Sequence, residues 1–159
     1  MPGSATETRN RQEEGTMRRG RDYGITVLRV TLGIIFLMHG YLAVFVDTPA
    51  GATAFIAKLG IPLPAITVWF VILGHFLGGV SLVLGFFTRL GALVHVAIMG
   101  GAIFFVHLRE GFFLHGIIVD AAAGKATVAG YEYALVLLLA SIAILITGGG
   151  PLALDRSKR

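Results

Sequence analysis

Four apolar runs dominate the chain and decide what it can fold into. They cover residues 23–46, 66–87, 90–108 and 131–147. An α-helix needs about 20 apolar residues to cross a bilayer core, and it satisfies its own backbone hydrogen bonds in lipid. The mean hydropathy of +0.81 and the 14% share of charged residues are also typical of a membrane protein. The runs therefore predict an all-α membrane protein, a four-transmembrane-helix bundle over residues 23–150.

The two ends of the chain are polar. Residues 1–22 mix both signs of charge without hydrophobic periodicity, which predicts a disordered cytoplasmic tail, and residues 151–159 form a second, short tail. Met17 precedes two arginines and is a candidate alternative start site. The first run could instead be a signal peptide, with Ala50 and Ala52 as a weak cleavage signal. Signal h-regions span only about 7–15 residues, so a retained helix is the favoured interpretation.

Lysine and arginine are concentrated at the two ends and in the turn between the second and third runs. The longer loops, residues 47–65 and 109–130, contain only three of them. Basic residues stay on the cytoplasmic side of a membrane. The distribution predicts that both termini are cytoplasmic and that the longer loops lie outside. The net charge of +4 therefore reflects membrane orientation, and nucleic-acid binding is not expected.

Ionisable side chains within the apolar runs are the candidate functional residues, because charge is costly in lipid and such groups tend to face the interior of a bundle. The predicted ligand-binding set consists of Arg29, His39, His75, His107 and Glu132. Counting along the helices places His39 and His75 in the outer half of the membrane, with His107 and Glu132 close to the outer surface.

For two residues of the runs, Arg29 and His95, other interpretations are open or favoured. Arg29, near the cytoplasmic end of the first helix, either snorkels to the headgroups or contacts a buried carbonyl, an acid or a ligand. His95 lies in the inner half of the third helix without an evident partner, and we assign it a structural role.

A quinone headgroup suits this set better than a metal or a haem. It needs an apolar cavity and a few polar groups that bond its oxygens and move protons, and Tyr41 and Trp69 could add to them. A haem is the lesser alternative, because only His39 and His75 lie at similar depth. Zinc would need His39, His75, His107 and Glu132 without any local ligand spacing. Each histidine also has a simpler interpretation as a core side chain bonded to a carbonyl.

The lack of cysteine limits the redox chemistry that this chain can perform, and the spacing of the glycines indicates helix packing. The sequence contains no cysteine, which excludes a thiol–disulfide relay or a cysteine-ligated cluster within this chain. Gly74 and Gly78 are four residues apart, and Gly33 and Gly40 share a face of the first helix. Such spacing is typical of close contacts between membrane helices.

Four segments of the sequence resemble the DoxX family of small four-helix membrane proteins. They are LRVTLGIIFLMHG (28–40), GGVSLVLGFFTRLGALVHVAIMGGAIFFVH (78–107), GFF (111–113) and GYEYALVLLLASIAILITGGGPLALD (130–155). The resemblance implies a bundle in the inner membrane, and some relatives are subunits of a thiosulfate:quinone oxidoreductase. We therefore expect a subunit of a quinone-linked redox assembly with a soluble or membrane partner. The alternative is a non-enzymatic scaffold or small-solute carrier.

The resemblance also marks recurrent positions and one departure from the family pattern. The recurrent positions are Arg29, His39, Gly78, Gly79, Thr88, Arg89, His107, Tyr131 and Glu132. Relatives commonly carry a glutamate before the double glycine, as in ELxGG, where this chain has His75 in HFLGG. An acid there could pair with Arg29 or His39, whereas a histidine cannot replace its negative charge.

Overall fold

The computed structural model describes residues 5–114, 119–120, 125–126 and 130–155. Its helices are α1 (Ala5–Tyr41), α2 (Pro49–Lys58), α3 (Pro64–Leu84), α4 (Thr88–Ala102) and α5 (Glu132–Thr147). A π-helical turn, Leu42–Val46, continues α1, and a π-helical turn, Ile103–His107, followed by the 3-10 turn Leu108–Glu110, continues α4. Two short antiparallel strands, β1 (Val119–Asp120) and β2 (Lys125–Ala126), pair in the last loop, with Val119 opposite Ala126.

Three of the helical segments are long and apolar enough to cross a membrane. They are Arg9–Val46, Pro64–Leu84 and Thr88–Glu110. Helix α5 has only 16 residues, or about 24 Å at 1.5 Å per residue, which is shorter than a hydrocarbon core of about 30 Å. The prediction of an α-helical, multi-pass membrane protein is confirmed, whereas the fourth span stays a prediction.

The outward faces of the helices are apolar, as a lipid environment requires. In α3, Ile66 and Leu77 are 66% and 68% exposed, and in α5 Leu139 is 56% exposed. Monomeric soluble proteins rarely expose so much contiguous apolar surface. A lipid bilayer is therefore the environment that these faces fit.

The amino-terminal segment differs from the predicted disordered tail, because residues 5–22 form the first turns of α1. Two ion pairs at helical spacing, Arg9–Glu13 at 2.8 Å and Arg11–Glu7 at 2.5 Å, favour the helix here. The segment also continues directly into an apolar helix, so it needs no nucleation of its own. Hydrophobic periodicity does not reveal such a helix, because its side chains are mostly exposed.

Glycines set how closely the helices approach, as their spacing predicted. A Cβ atom on Gly33 of α1 would lie 2.9 Å from the carbonyl oxygen of Gly79 in α3. A Cβ atom on Gly74 would lie 2.6 Å from the side chain of Ile98 in α4. Helix α3 therefore packs on α1 through one glycine face and on α4 through another, which leaves little space between the three backbones.

The carboxyl-terminal segment folds back onto the turn between α3 and α4. The Asp155 carboxylate accepts hydrogen bonds from the backbone N–H of Thr88, at 2.8 Å, and from its hydroxyl, at 3.0 Å. The backbone N–H of Asp155 donates to the carbonyl of Gly85 at 2.8 Å. Asp155 thus caps the start of α4 from a distant part of the chain, which replaces the local cap that Phe87 cannot provide.

We expect Asp155→Ala to lower the free energy of unfolding by about 1–2 kcal/mol, because it leaves the first turn of α4 without a cap. The measurement is the melting temperature of the protein in detergent. Asp47→Ala, which removes an exposed carboxylate in the first loop, is the matched control and should leave that temperature unchanged. Equal melting temperatures for Asp155→Ala and the wild type would contradict the capping role.

Candidate functional site

Three histidine rings, one each from α1, α3 and α4, lie side by side within the bundle. The ring centroids of His39 and His75 are 6.0 Å apart, with planes inclined by 19°, and those of His75 and His95 are 5.9 Å apart. His39 is exposed, His75 is 7% exposed and His95 is fully buried. This histidine row (His39, His75 and His95) therefore leads from the lipid-facing surface into the core.

Each ring of the row is tied to its own helix in the same way. In all three, Nδ1 is hydrogen-bonded to the carbonyl oxygen four residues earlier, in His39 to Ile35 at 2.9 Å, in His75 to Val71 at 2.8 Å and in His95 to Gly91 at 2.9 Å. A carbonyl oxygen can only accept, so Nδ1 must carry the hydrogen. In the neutral ring, Nε2 is then left with its lone pair, and it can accept but not donate.

The inner end of the row contains an unsatisfied nitrogen. Among the residues that the structure describes, Nε2 of His95 is the buried side-chain atom without a hydrogen-bond partner. The ring stacks on Phe36 at 3.6 Å between centroids, and a Cβ atom on Gly78 would lie 2.6 Å from its Cε1 atom. Gly78 and Phe36 thus hold the imidazole, and an unpaired buried polar atom calls for a ligand, a water molecule or a proton.

His95 is the residue whose place sequence reasoning missed. The prediction assigned it to the inner half of the membrane without a partner, whereas the structure places its ring beside that of His75. The signal was available in the short turn between α3 and α4. Residues at similar distances before and after a tight antiparallel turn lie at similar depth, and His75 and His95 flank the turn at Gly85–Phe87 almost symmetrically.

The outer end of the row meets the fourth apolar helix. The ring of Tyr133 in α5 lies 6.5 Å from that of His39, with planes inclined by 24°. Both rings are exposed on the surface of the bundle. A flat ligand within the bilayer would therefore meet two nearly parallel rings at the entrance to the row.

Arg29 lies away from the row, and it is 1% exposed, so it does not snorkel to the headgroups. Its Nε donates to the carbonyl of Gly149 at 2.8 Å, and its terminal nitrogens donate to the carbonyls of Leu82, Val83 (3.0 Å) and Leu152 (3.4 Å). The interpretation of Arg29 as a buried partner for carbonyls is therefore confirmed. Its guanidinium joins α1 to the end of α3 and to the carboxyl-terminal segment, while a role in ligand binding stays a prediction.

Glu132 contacts the loop before α5. Its carboxylate accepts a hydrogen bond from the backbone N–H of Leu114 at 2.8 Å, and its own N–H donates to the carbonyl of Phe112 at 3.0 Å. A carboxylate at the first residue of a helix is also favoured by the helix dipole. These contacts give Glu132 a structural task in fixing the loop at the start of α5.

His107 ends the π-helical turn after α4 and is half-buried. Within the described ranges, no three histidine or acidic residues lie close enough together to hold a metal ion. The described structure places the rings of His39 and His75 side by side, but it does not assemble His39, His75, His107 and Glu132 into a metal-ligand set. The part of His107 in ligand binding stays a prediction.

A cleft of about 550 Å³ opens at a different place, where the carboxyl-terminal segment meets the middle of α1, at Asp22 and Ile25, and the first turn of α4. Its charged lining residues are Asp22, Arg89 and Asp155, and the loop Gly148–Gly150 forms part of its wall. No residue of the histidine row lines it. Asp155 is already engaged with Thr88, and the cleft combines both signs of charge, so we place the candidate site at the row instead.

Comparison with known proteins gives one family and two related chains. The sequence model of the DoxX family matches residues 24–108, a range that includes Arg29 and the whole histidine row. The chain is 32% identical over 139 residues to a putative oxidoreductase, CatD, of Bacillus subtilis, with 87% of this chain and 90% of the relative covered. It is 28% identical over 144 residues to an uncharacterized protein of Haemophilus influenzae, and the match covers 87% of this chain and 93% of that relative. No solved structure matches the chain significantly.

Proposed function

The chain belongs to the DoxX family, and we propose that it is an integral inner-membrane subunit of a quinone-linked redox assembly. In this proposal the histidine row binds the headgroup of a quinone or of its hydroquinone. The observation that carries the proposal is the row itself, three imidazoles from three helices that lead from the exposed His39 to the buried His95.

The chemistry of the row suits such a headgroup. A lipophilic ring reaches the site from the bilayer, where His39 and Tyr133 offer flat surfaces for stacking. The three Nε2 atoms offer hydrogen-bond acceptors at increasing depth. A few polar atoms in apolar surroundings are what a small-molecule site of this kind requires.

One relative supports the redox part of the proposal, and the composition limits the routes by which electrons could move. The similar Bacillus subtilis protein is named a putative oxidoreductase. This chain has no cysteine, so any electron transfer must run through a bound group or a partner subunit rather than through a thiol. The proposed partner is a soluble or membrane protein that exchanges electrons with the bound quinone.

The topology of the proposal has four spans with both termini in the cytoplasm. Hydrogen bonds from Arg29 to Gly149 and from Thr88 to Asp155 support it, because they hold the carboxyl-terminal segment beside α1 and the turn between α3 and α4. If that turn is cytoplasmic, as Arg89 favours, α5 must return across the membrane. Its 16 residues would span a locally thinned bilayer or one in which flanking apolar residues take part.

Cysteine labelling tests this topology without background, because the natural chain has no cysteine. In intact spheroplasts, a membrane-impermeant thiol reagent should label Ala57→Cys in α2 but neither Thr6→Cys nor Leu154→Cys. The last two should react only after the membrane is permeabilised. Labelling of Leu154→Cys in intact spheroplasts would contradict the proposed four spans.

For ligand binding we expect His75→Ala to weaken the affinity for decylubiquinone or decylubiquinol by about tenfold or more, because the middle imidazole of the row is lost. The measurement is a binding titration with the full chain in lipid nanodiscs. Leu77→Ala lies on the exposed face of the same helix and is the matched control.

Unchanged binding in His75→Ala would remove His75 from the site. If neither probe binds the wild type and organic extracts of the folded protein contain no quinone, the scaffold or carrier alternative is favoured. Haem bands in the visible spectrum of the purified protein would instead support the haem alternative.

A further inference from the structure

The hydrogen-bond polarity of the histidine row is the same at all three rings. Each Nδ1–H is already donated to a backbone carbonyl. Each neutral ring therefore offers a ligand only the lone pair of Nε2, which is an acceptor. The oxygen atoms of a quinone are carbonyls and also only accept, whereas the two O–H groups of a hydroquinone donate.

Because His75 and His95 are buried, the difference between a hydroxyl donor and a carbonyl acceptor changes the binding affinity. His75 is 7% exposed and His95 is fully buried, and no described residue is hydrogen-bonded to Nε2 of His95. An acceptor that faces another acceptor away from water leaves both groups unpaired, which costs free energy, while an O–H group satisfies the nitrogen. A site discriminates most strongly when it hydrogen-bonds a hydroxyl of the ligand. An analogue that lacks this hydroxyl leaves buried polar groups of the site unpaired.

We infer that the histidine row binds the reduced, hydroxyl-bearing hydroquinone in preference to the quinone. This inference rests on the proposed quinone-linked function, and it adds which redox state the site selects. The hydroxyl of Tyr133, at the entrance beside His39, can both donate and accept, so it does not choose between the two states. The selection comes from His75 and His95.

The experiment compares three probes on the full chain in lipid nanodiscs. They are decylubiquinol, decylubiquinone and the dimethyl ether of decylubiquinol, which keeps the ring but has no hydroxyl donor. We expect decylubiquinol to bind about tenfold more tightly than either of the others. A redox titration with a soluble mediator, which supplies two electrons while two protons come from the buffer, should then place the bound couple about 30 mV above the free couple.

A variant with donors in the row provides the control. His75→Gln introduces an amide that donates as well as accepts, so the preference for the hydroquinone should fall towards equal binding. Leu77→Gln places the same amide on the exposed face of α3 and should keep the preference. Should His75→Gln not fold, the ratio between decylubiquinol and its dimethyl ether in the wild type decides the question.

The possible outcomes distinguish the preference for the hydroquinone from the proposed quinone-linked function. Equal or tighter binding of decylubiquinone would overturn the preference for the hydroquinone, while the quinone-linked function would stand. An unchanged preference in His75→Gln would mean that the row does not make the selection. Failure of all three probes to bind would contradict the proposed function itself.

Discussion

Backbone carbonyls are the hydrogen-bond acceptors on which the polar side chains of this bundle depend. In lipid there is no water to satisfy a buried donor. Arg29 donates to carbonyls at the end of α3 and in the carboxyl-terminal segment, and the buried Ser141 donates to the carbonyl of Leu137 at 2.8 Å. The three histidines of the row follow the same rule within their own helices. Each ring then has one unprotonated nitrogen, Nε2, which can accept a hydrogen bond. The proposed chemistry follows from this acceptor.

The same constraint separates the structural contacts at one end of the bundle from the proposed site at the histidine row. Arg29 and Asp155 join α1, the turn after α3 and the carboxyl-terminal segment at one end. Close contact between glycines of α1 and α3 continues this packing towards the row. Each imidazole uses one nitrogen to bond its own helix, so its second nitrogen remains as an acceptor. A rigid frame with free acceptors is what selective binding of a hydroxyl-bearing ring requires.

Much of this arrangement could be predicted from the sequence. Apolar runs located the helices, glycine spacing located their contacts, and counting along the helices placed His39 and His75 at similar depth. The neighbour of His75 could not be found by counting each run separately, because the depth of His95 depends on the turn that α3 and α4 share. The partners of Arg29 and Glu132 are backbone groups, which leave no mark in the sequence. The helical amino-terminal segment lacked periodicity because it packs against little.

The central claim is that His39, His75 and His95 each carry a hydrogen on Nδ1 and present a bare Nε2. Solid-state ¹⁵N NMR of histidine-labelled protein in lipid measures this directly, and single His→Gln variants of the three positions assign the signals. The account predicts a protonated Nδ1 and an unprotonated Nε2 for all three rings. A protonated Nε2 at His75 or His95 would contradict it, because the row would then offer a donor and would lose its reason to prefer a hydroquinone.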